Sequence, residues 1–187
     1  MPLLMLKDLP RYECLLQAGA EFPDLDPSAT EAFLNLLHTG DEAFRVLETH
    51  LANHDISHGR FGVLMALWAH ERRGCALPPL TPAELAERTS VTRATMTGLI
   101  DTLERDGLVR RGPATSDRRM TIVQATPEGL SLINQILPRH FQMMAGLMAP
   151  LSDVERKTLV GLLQKIVARA VSIAPPGGEP ATATAAR

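Results

Sequence analysis

Thr92, Arg93, Thr95 and Thr97 place three hydroxyls and a guanidinium within six residues, and Ser90 adds a further hydroxyl just upstream. Hydroxyl and guanidinium groups can bond to base edges and to phosphate oxygens. They are useful in that way only if they stand on the exposed first turn of a helix, where free backbone N–H groups also face an anion. A second group of cations lies downstream. Between residues 108 and 125, Arg110, Arg111, Arg118 and Arg119 stand against a single acid, Asp117. This is the one concentrated positive segment of the chain, and it suits contact with a polyanion.

The surrounding sequence predicts the elements needed to present these groups. Thr81-Pro82-Ala83-Glu84 is a capping box with proline at the first helical position, and the helix it opens should stop at Thr89-Ser90. Thr92 is a plausible cap for a second helix that ends at Gly107, the residue that most cheaply takes a positive φ. Met96, Leu99, Ile100 and Leu103 recur three and four apart as its apolar face, and Met96 is also included with the groups of the first turn. The acids Asp101, Glu104 and Asp106 fall at its far end. Two strands follow, Leu108–Arg111 and Met120–Ala125, with Gly112 and Pro113 read as part of a long turn that carries arginines on and beside its tip. A helix entering the ~12 Å major groove by its N-terminal turn, beside a hairpin reaching backbone or minor groove, is the use this order suggests.

Further helices are expected from Ser28-Ala-Thr-Glu31, over Arg60–Arg73, from Thr126-Pro127-Glu128 and from Ser152-Asp-Val-Glu155. Pro138 inside the third of these predicts a bend. Tyr12, Leu15 and Leu16 suggest a short helix near the N-terminus, interrupted by Pro10, Pro23 and Pro27. The segment 174–187 reads as a disordered tail.

The 187 residues are 45% hydrophobic and 21% charged, an ordinary globular composition. No apolar stretch reaches the ~18 residues a spanning helix needs, so a soluble cytoplasmic protein without membrane contact is expected. Two cysteines, Cys14 and Cys75, exclude a disulfide framework. The formal net charge is −2, but residues 1–55 carry 10 acids and 3 bases whereas the remainder carries 11 acids and 16 bases. Phosphate-cradling glycine loops, HExxH and GxSxG are absent, and no cofactor or enzymatic activity is expected.

Leu85-Ala-Glu-Arg88, Val91-Thr-Arg-Ala-Thr-Met-Thr97, Leu103-Glu-Arg-Asp-Gly-Leu-Val-Arg-Arg111, Ser116-Asp-Arg-Arg119 and Val123-Gln-Ala-Thr-Pro-Glu-Gly129 together resemble the MarR family of winged helix-turn-helix repressors. The resemblance extends over about residues 30–172. It implies a mainly α fold: a winged helix-turn-helix with a two-stranded β wing, plus N- and C-terminal dimerisation helices. It also implies that Asp117 orients Arg119 toward the minor groove, with Arg118 beside it. Ala125 departs from the leucine usual before Thr-x-x-Gly, which should affect packing rather than DNA contact.

On this reading 1–27 is an N-terminal extension, 28–80 forms dimerisation and effector-crevice helices, 81–125 binds DNA, and 126–173 supplies C-terminal dimerisation helices. Leu159, Leu162, Leu163, Ile166, Val167, Ala170 and Val171 provide the apolar series for a homodimer. Two recognition helices about 34 Å apart would then read a pseudo-palindromic double-stranded operator. Family members commonly release DNA when a small aromatic acid enters a crevice, and the corresponding region gathers His50, His54, His58, Arg60, Phe61 and Met65, with Tyr12 from the extension. A guanidinium forks onto a carboxylate, imidazoles bond to ring hydroxyls, and Phe and Met give apolar walls. Arg60 is the first choice for the anion. Alternatives are oxidant sensing at Cys14, metal sensing through His50, His54 and His58, and a winged protein-interaction module that binds no DNA. No metal site is assigned.

Overall fold

The computed structural model describes Leu3, Leu4 and residues 8–72, 79–114 and 120–173. In chain order these form α1 (Tyr12–Glu21), α2 (Pro27–Ala52), α3 (His58–Arg72), α4 (Pro82–Arg88), α5 (Arg93–Arg105), β1 (Val109–Pro113), β2 (Thr121–Ala125), α6 (Pro127–Met148) and α7 (Asp153–Ile173). Contacts divide the chain into two units, residues 1–140 and 141–187. The division falls within α6, two residues after Pro138, and the helix is continuous through that proline.

The first unit has one core. Leu64 and Leu67 from α3, Leu85 from α4, Met96, Ile100 and Leu103 from α5, Val109 and Val123 from the strands, and Ile133 and Ile136 from α6 are all buried there. α3, α5 and α6 contribute at spacings of three or four, so burial of one apolar stripe on each drives the assembly. In the second unit α7 buries no residue.

Local chemistry sets the helix ends. Thr81 and Glu84 form the expected capping box, and Ser152 and Glu155 make the same reciprocal bonds before α7. The start of α2 differs from expectation. Asp26, not Ser28, is the cap, its carboxylate accepting from the Ala29 N–H at 3.0 Å, and Pro27 occupies the first turn instead of interrupting a helix.

Three helices end alike. After α2, α4 and α5, one residue takes a left-handed conformation: Asp55 (φ 52°), Ser90 (φ 54°) and Gly107 (φ 72°). The next amide in each case reaches back five residues: Ile56 to Leu51, Val91 to Ala86 and Leu108 to Leu103. The Ser90 turn is what places α5 across α4.

β1 and β2 pair antiparallel, Val109 opposite Ala125 through Pro113 opposite Thr121, and the Ala114 N–H continues the ladder to the Met120 carbonyl at 2.8 Å. Gly112 and Pro113 therefore belong to the strand and not to the turn. Proline is tolerated there because β1 has a partner on one side only. On the other side of the ribbon, the Val123 N–H donates to the Leu80 carbonyl, tying it to the segment before α4.

Candidate nucleic-acid interface

The first turn of α5 is built to be presented. Thr92 caps it by accepting from the Thr95 N–H at 3.1 Å, and the two hydroxyls lie 2.9 Å apart. Thr92, Arg93, Thr95 and Thr97 are all exposed, as is Ser90 in the preceding turn. The Thr97 hydroxyl donates to the Arg93 carbonyl, which leaves its oxygen lone pairs to accept from outside. An open groove of about 440 Å³ runs beside this turn, lined by Thr81–Ala83, Arg93, Thr97, Met120 and Thr121.

Met96 is the exception among the predicted contacts. It is wholly buried in the core, because it occupies the inward position between Thr95 and Thr97, and it holds α5 down without touching a groove. Asp117, Arg118 and Arg119 lie outside the described residues, as do Cys75 and the segment 174–187.

The acids of α5 are neutralised locally. Arg111 of β1 donates through Nη1 to Glu104 and through Nη2 to Asp101, each at 2.5 Å, and its backbone N–H reaches Glu104 Oε1 at 2.9 Å. That backbone bond, more than the ion pair, holds the Glu104 carboxyl below its usual range. Arg111 consequently acts as an internal clasp between wing and helix, contrary to its expected place in the positive patch. Arg110, next along the strand, faces solvent.

Asp106, the residue that ends α5, is shared by two cations. Arg105 Nε donates to Oδ1 at 3.2 Å, and Arg60 Nη2, from the first turn of α3, donates to Oδ2 at 2.6 Å. The Asp106 carboxyl is held below its ordinary value, chiefly by the Arg105 bond and with help from Arg60.

A second knot fixes the root of the wing. Thr126 donates its hydroxyl to the Gly107 carbonyl at 2.7 Å, accepts from the Gly129 N–H at 3.1 Å, and donates its own N–H to the Leu108 carbonyl at 3.0 Å. A Cβ on Gly129 would stand 2.1 Å from that same carbonyl oxygen, so only glycine lets α6 start this close to the strand. The pattern Thr-x-x-Gly was visible in the sequence. Its function as a joint between α5, β1 and α6 was not.

The residues expected around an effector are brought together in part. His50 is buried near the end of α2, with its ring 5.5 Å from His54 and 5.7 Å from His140 of α6, and His140 lies 5.0 Å from Phe61. His58 meets Phe44 edge-on at 5.0 Å. Burial first, then the neighbouring His140 and His54 and Arg139, push the His50 imidazole below its ordinary pKa, and burial does the same to His140. His140 was not anticipated, since it is 79 residues or more from the other rings in the chain. Phe61 is 5% exposed and belongs to the core, Met65 packs partly buried against it, and Arg60 is already engaged by Asp106 instead of standing open. The three histidines do not share a helical face: α2 ends at Ala52, His54 lies in the following turn and His58 opens α3. Among the described residues no group of three or more His, Cys, Asp or Glu is gathered to hold a metal.

Tyr12 and Cys14 are exposed on α1, with Glu13 between them. That helix packs on α2 through Leu15, and the Leu3 and Leu4 amides donate to the Asp41 carboxylate of α2 at 2.6 and 2.8 Å. No helix among the described residues is long and apolar enough to cross a membrane.

Comparison with known proteins agrees with this architecture. A family profile described as MarR family matches residues 54–120. The HTH-type transcriptional repressor YetL of Bacillus subtilis is 36% identical over 165 residues, spanning 88% of this chain and 95% of YetL. A cysteine-to-serine mutant of E. coli MarR, solved in complex with operator DNA, superposes with a TM-score of 0.61 at 28% identity, over 71% of this chain and 91% of that one. Bordetella bronchiseptica BpsR, solved in a study of regulation of its DNA binding by 6-hydroxynicotinic acid, aligns with a TM-score of 0.56 at 25% identity, over 70% of this chain and 91% of BpsR.

Proposed function

This chain belongs to the MarR family of DNA-binding transcriptional regulators, and from that premise we propose that it is a homodimeric repressor released from its operator by a small aromatic carboxylic acid. Family membership makes it a regulator and not an enzyme.

The observation that carries the reading is the exposed, capped first turn of α5, with Arg93, Thr95 and Thr97 free of acidic partners among the described residues while Asp101, Glu104 and Asp106 are tied to arginines. A major groove meets hydroxyls, one guanidinium and the positive end of a helix dipole, and no uncompensated carboxylate from that helix. Arg110 and the arginines of 118 and 119 supply phosphate or minor-groove contacts, with Asp117 orienting Arg119.

Dimerisation is supported by apolar surface left open. Leu162, Ile166, Val167 and Val171 of α7 are each about half exposed or more. At spacings of four and five they share one face of the helix, and exposed apolar surface grouped in this way suits a protein–protein contact. It would set two copies of α5 one helical repeat apart.

The effector reading rests on the aromatic and imidazole rings around the start of α3 and on Arg60, and on the acid named for BpsR. Fluorescence anisotropy with DNA from upstream of its own gene tests both halves. Specific binding that falls on adding 6-hydroxynicotinate or benzoate is expected. Absence of sequence-specific binding overturns the first half, and release by no aromatic acid overturns the second.

A further inference from the structure

The geometry around Arg60 points to a guanidinium shared between an external carboxylate and the recognition helix. We propose that a carboxylate ligand takes the Nε–Nη2 edge of Arg60, displaces Asp106 from it, and so uncouples the start of α3 from the end of α5. The proposal deepens the effector reading above and rests on it for the identity of the ligand class.

Three features support it. Asp106 fills only half of that edge: Oδ2 lies 2.6 Å from Nη2, while Nε is buried without a hydrogen-bond partner among the described residues. A guanidinium edge is shaped for two parallel bonds from one carboxylate, so a ligand spanning Nε and Nη2 satisfies a donor that Asp106 leaves unmet. Second, the exchange strands no charge. Asp106 keeps Arg105 on Oδ1 at 3.2 Å when Arg60 turns away, which removes the usual obstacle to opening a partly buried ion pair. Third, the place suits an anion. Arg60 is the third residue of a 15-residue helix, where the dipole is positive, and His58 with Phe44 offers aromatic surface at the same end.

The pair spans 46 residues of sequence and joins α3 to the residue immediately before Gly107, the left-handed turn from α5 into the wing. Ligand and operator would then compete through one side chain, and each must weaken the other by the same factor.

Calorimetric titration of the full-length protein with benzoate tests this, with benzamide as the uncharged control. Asp106→Asn is expected to bind benzoate about tenfold more tightly than the unaltered chain, within the usual range of coupling between sites. Arg60→Met should lose benzoate binding, and Arg60→Lys, which keeps the charge without the fork, should recover only part of it. Benzamide affinity should not follow this order. Equal benzoate affinity in Asp106→Asn and the unaltered chain overturns the proposal, as does unimpaired binding by Arg60→Met or no binding by any variant. Circular dichroism and the Lys variant separate loss of the site from loss of fold. Operator release, measured in parallel, separates this idea from the effector reading. Release by an aromatic acid without gained affinity in Asp106→Asn removes the competition alone. Gained affinity without release removes the effector reading and the linkage to the operator, and leaves only the exchange of Asp106 for the ligand at Arg60 standing.

Discussion

Replacing Gly129 by alanine is the most demanding test of the packing described above. The added Cβ would lie 2.1 Å from the Leu108 carbonyl oxygen and 3.0 Å from its carbonyl carbon, and the obstacle is backbone, which cannot rotate aside as a side chain does. Either α6 moves outward or β1 does. Both movements stretch the bond from the Thr126 N–H to that carbonyl and the bond from the Gly129 N–H to the Thr126 hydroxyl. Overpacking of a tight site costs about 1–3 kcal/mol, and a weakened buried hydrogen bond adds roughly 1 kcal/mol. The loss should total about 2–4 kcal/mol, which for a chain of this length lowers Tm by roughly 5–15 °C. Differential scanning calorimetry of the two proteins at one concentration measures it. Gly98→Ala is the control, because a Cβ at Gly98 meets nothing within 4 Å. A Gly129→Ala protein melting within about 2 °C of the unaltered chain would refute the close approach of α6 to the strand, and with it the account of how the wing is held.

Arg93→Ala should weaken operator binding and lower the salt slope by about one unit, whereas Arg111→Met should weaken binding by loosening the wing with the slope unchanged, because Arg111 already faces Glu104 and Asp101. Equal slopes for the two variants would assign Arg93 no phosphate or base contact. Ser90→Gly should raise Tm by a few degrees, since a left-handed backbone at φ 54° strains any residue with a Cβ by about 1 kcal/mol. A lower Tm would mean the serine hydroxyl supports the turn. His50 is held neutral by burial, so its folded pKa lies below the unfolded value of about 6.5. Its stabilising contribution is complete above that value and declines as pH falls through it toward the folded pKa. The Tm of the unaltered chain should therefore drop between neutral and mildly acidic pH, and His50→Phe should flatten the curve; parallel curves would remove His50 from the acid response.

The helix-turn-helix was legible because its determinants are local. Thr81, Thr92 and Gly107 signal their caps from single positions, and the structure places α4 and the start of α5 where those signals put them. The turn through Ser90 was legible only as a stop, since a left-handed serine has no special signature. Gly112 and Pro113 misled, because residues common in turns also end edge strands, and only the pairing partner decides between the two. Arg111 could have been assigned from strand periodicity: it shares a face with buried Val109, which turns it toward α5, whereas Arg110 turns away. The ion pair of Arg60 with Asp106 and the contact of His50 with His140 left no trace in spacing, as both join segments far apart in the chain.

The joint at Thr126 carries a mechanical consequence. One hydroxyl and two amides rivet the end of α5, the base of β1 and the beginning of α6 at a single point. Within a subunit, helix and hairpin therefore pivot together like the jaw of a caliper and do not flex against each other. In the dimer proposed above, control over DNA would then be exerted by changing the gap between two such jaws, which a duplex of fixed pitch tolerates poorly.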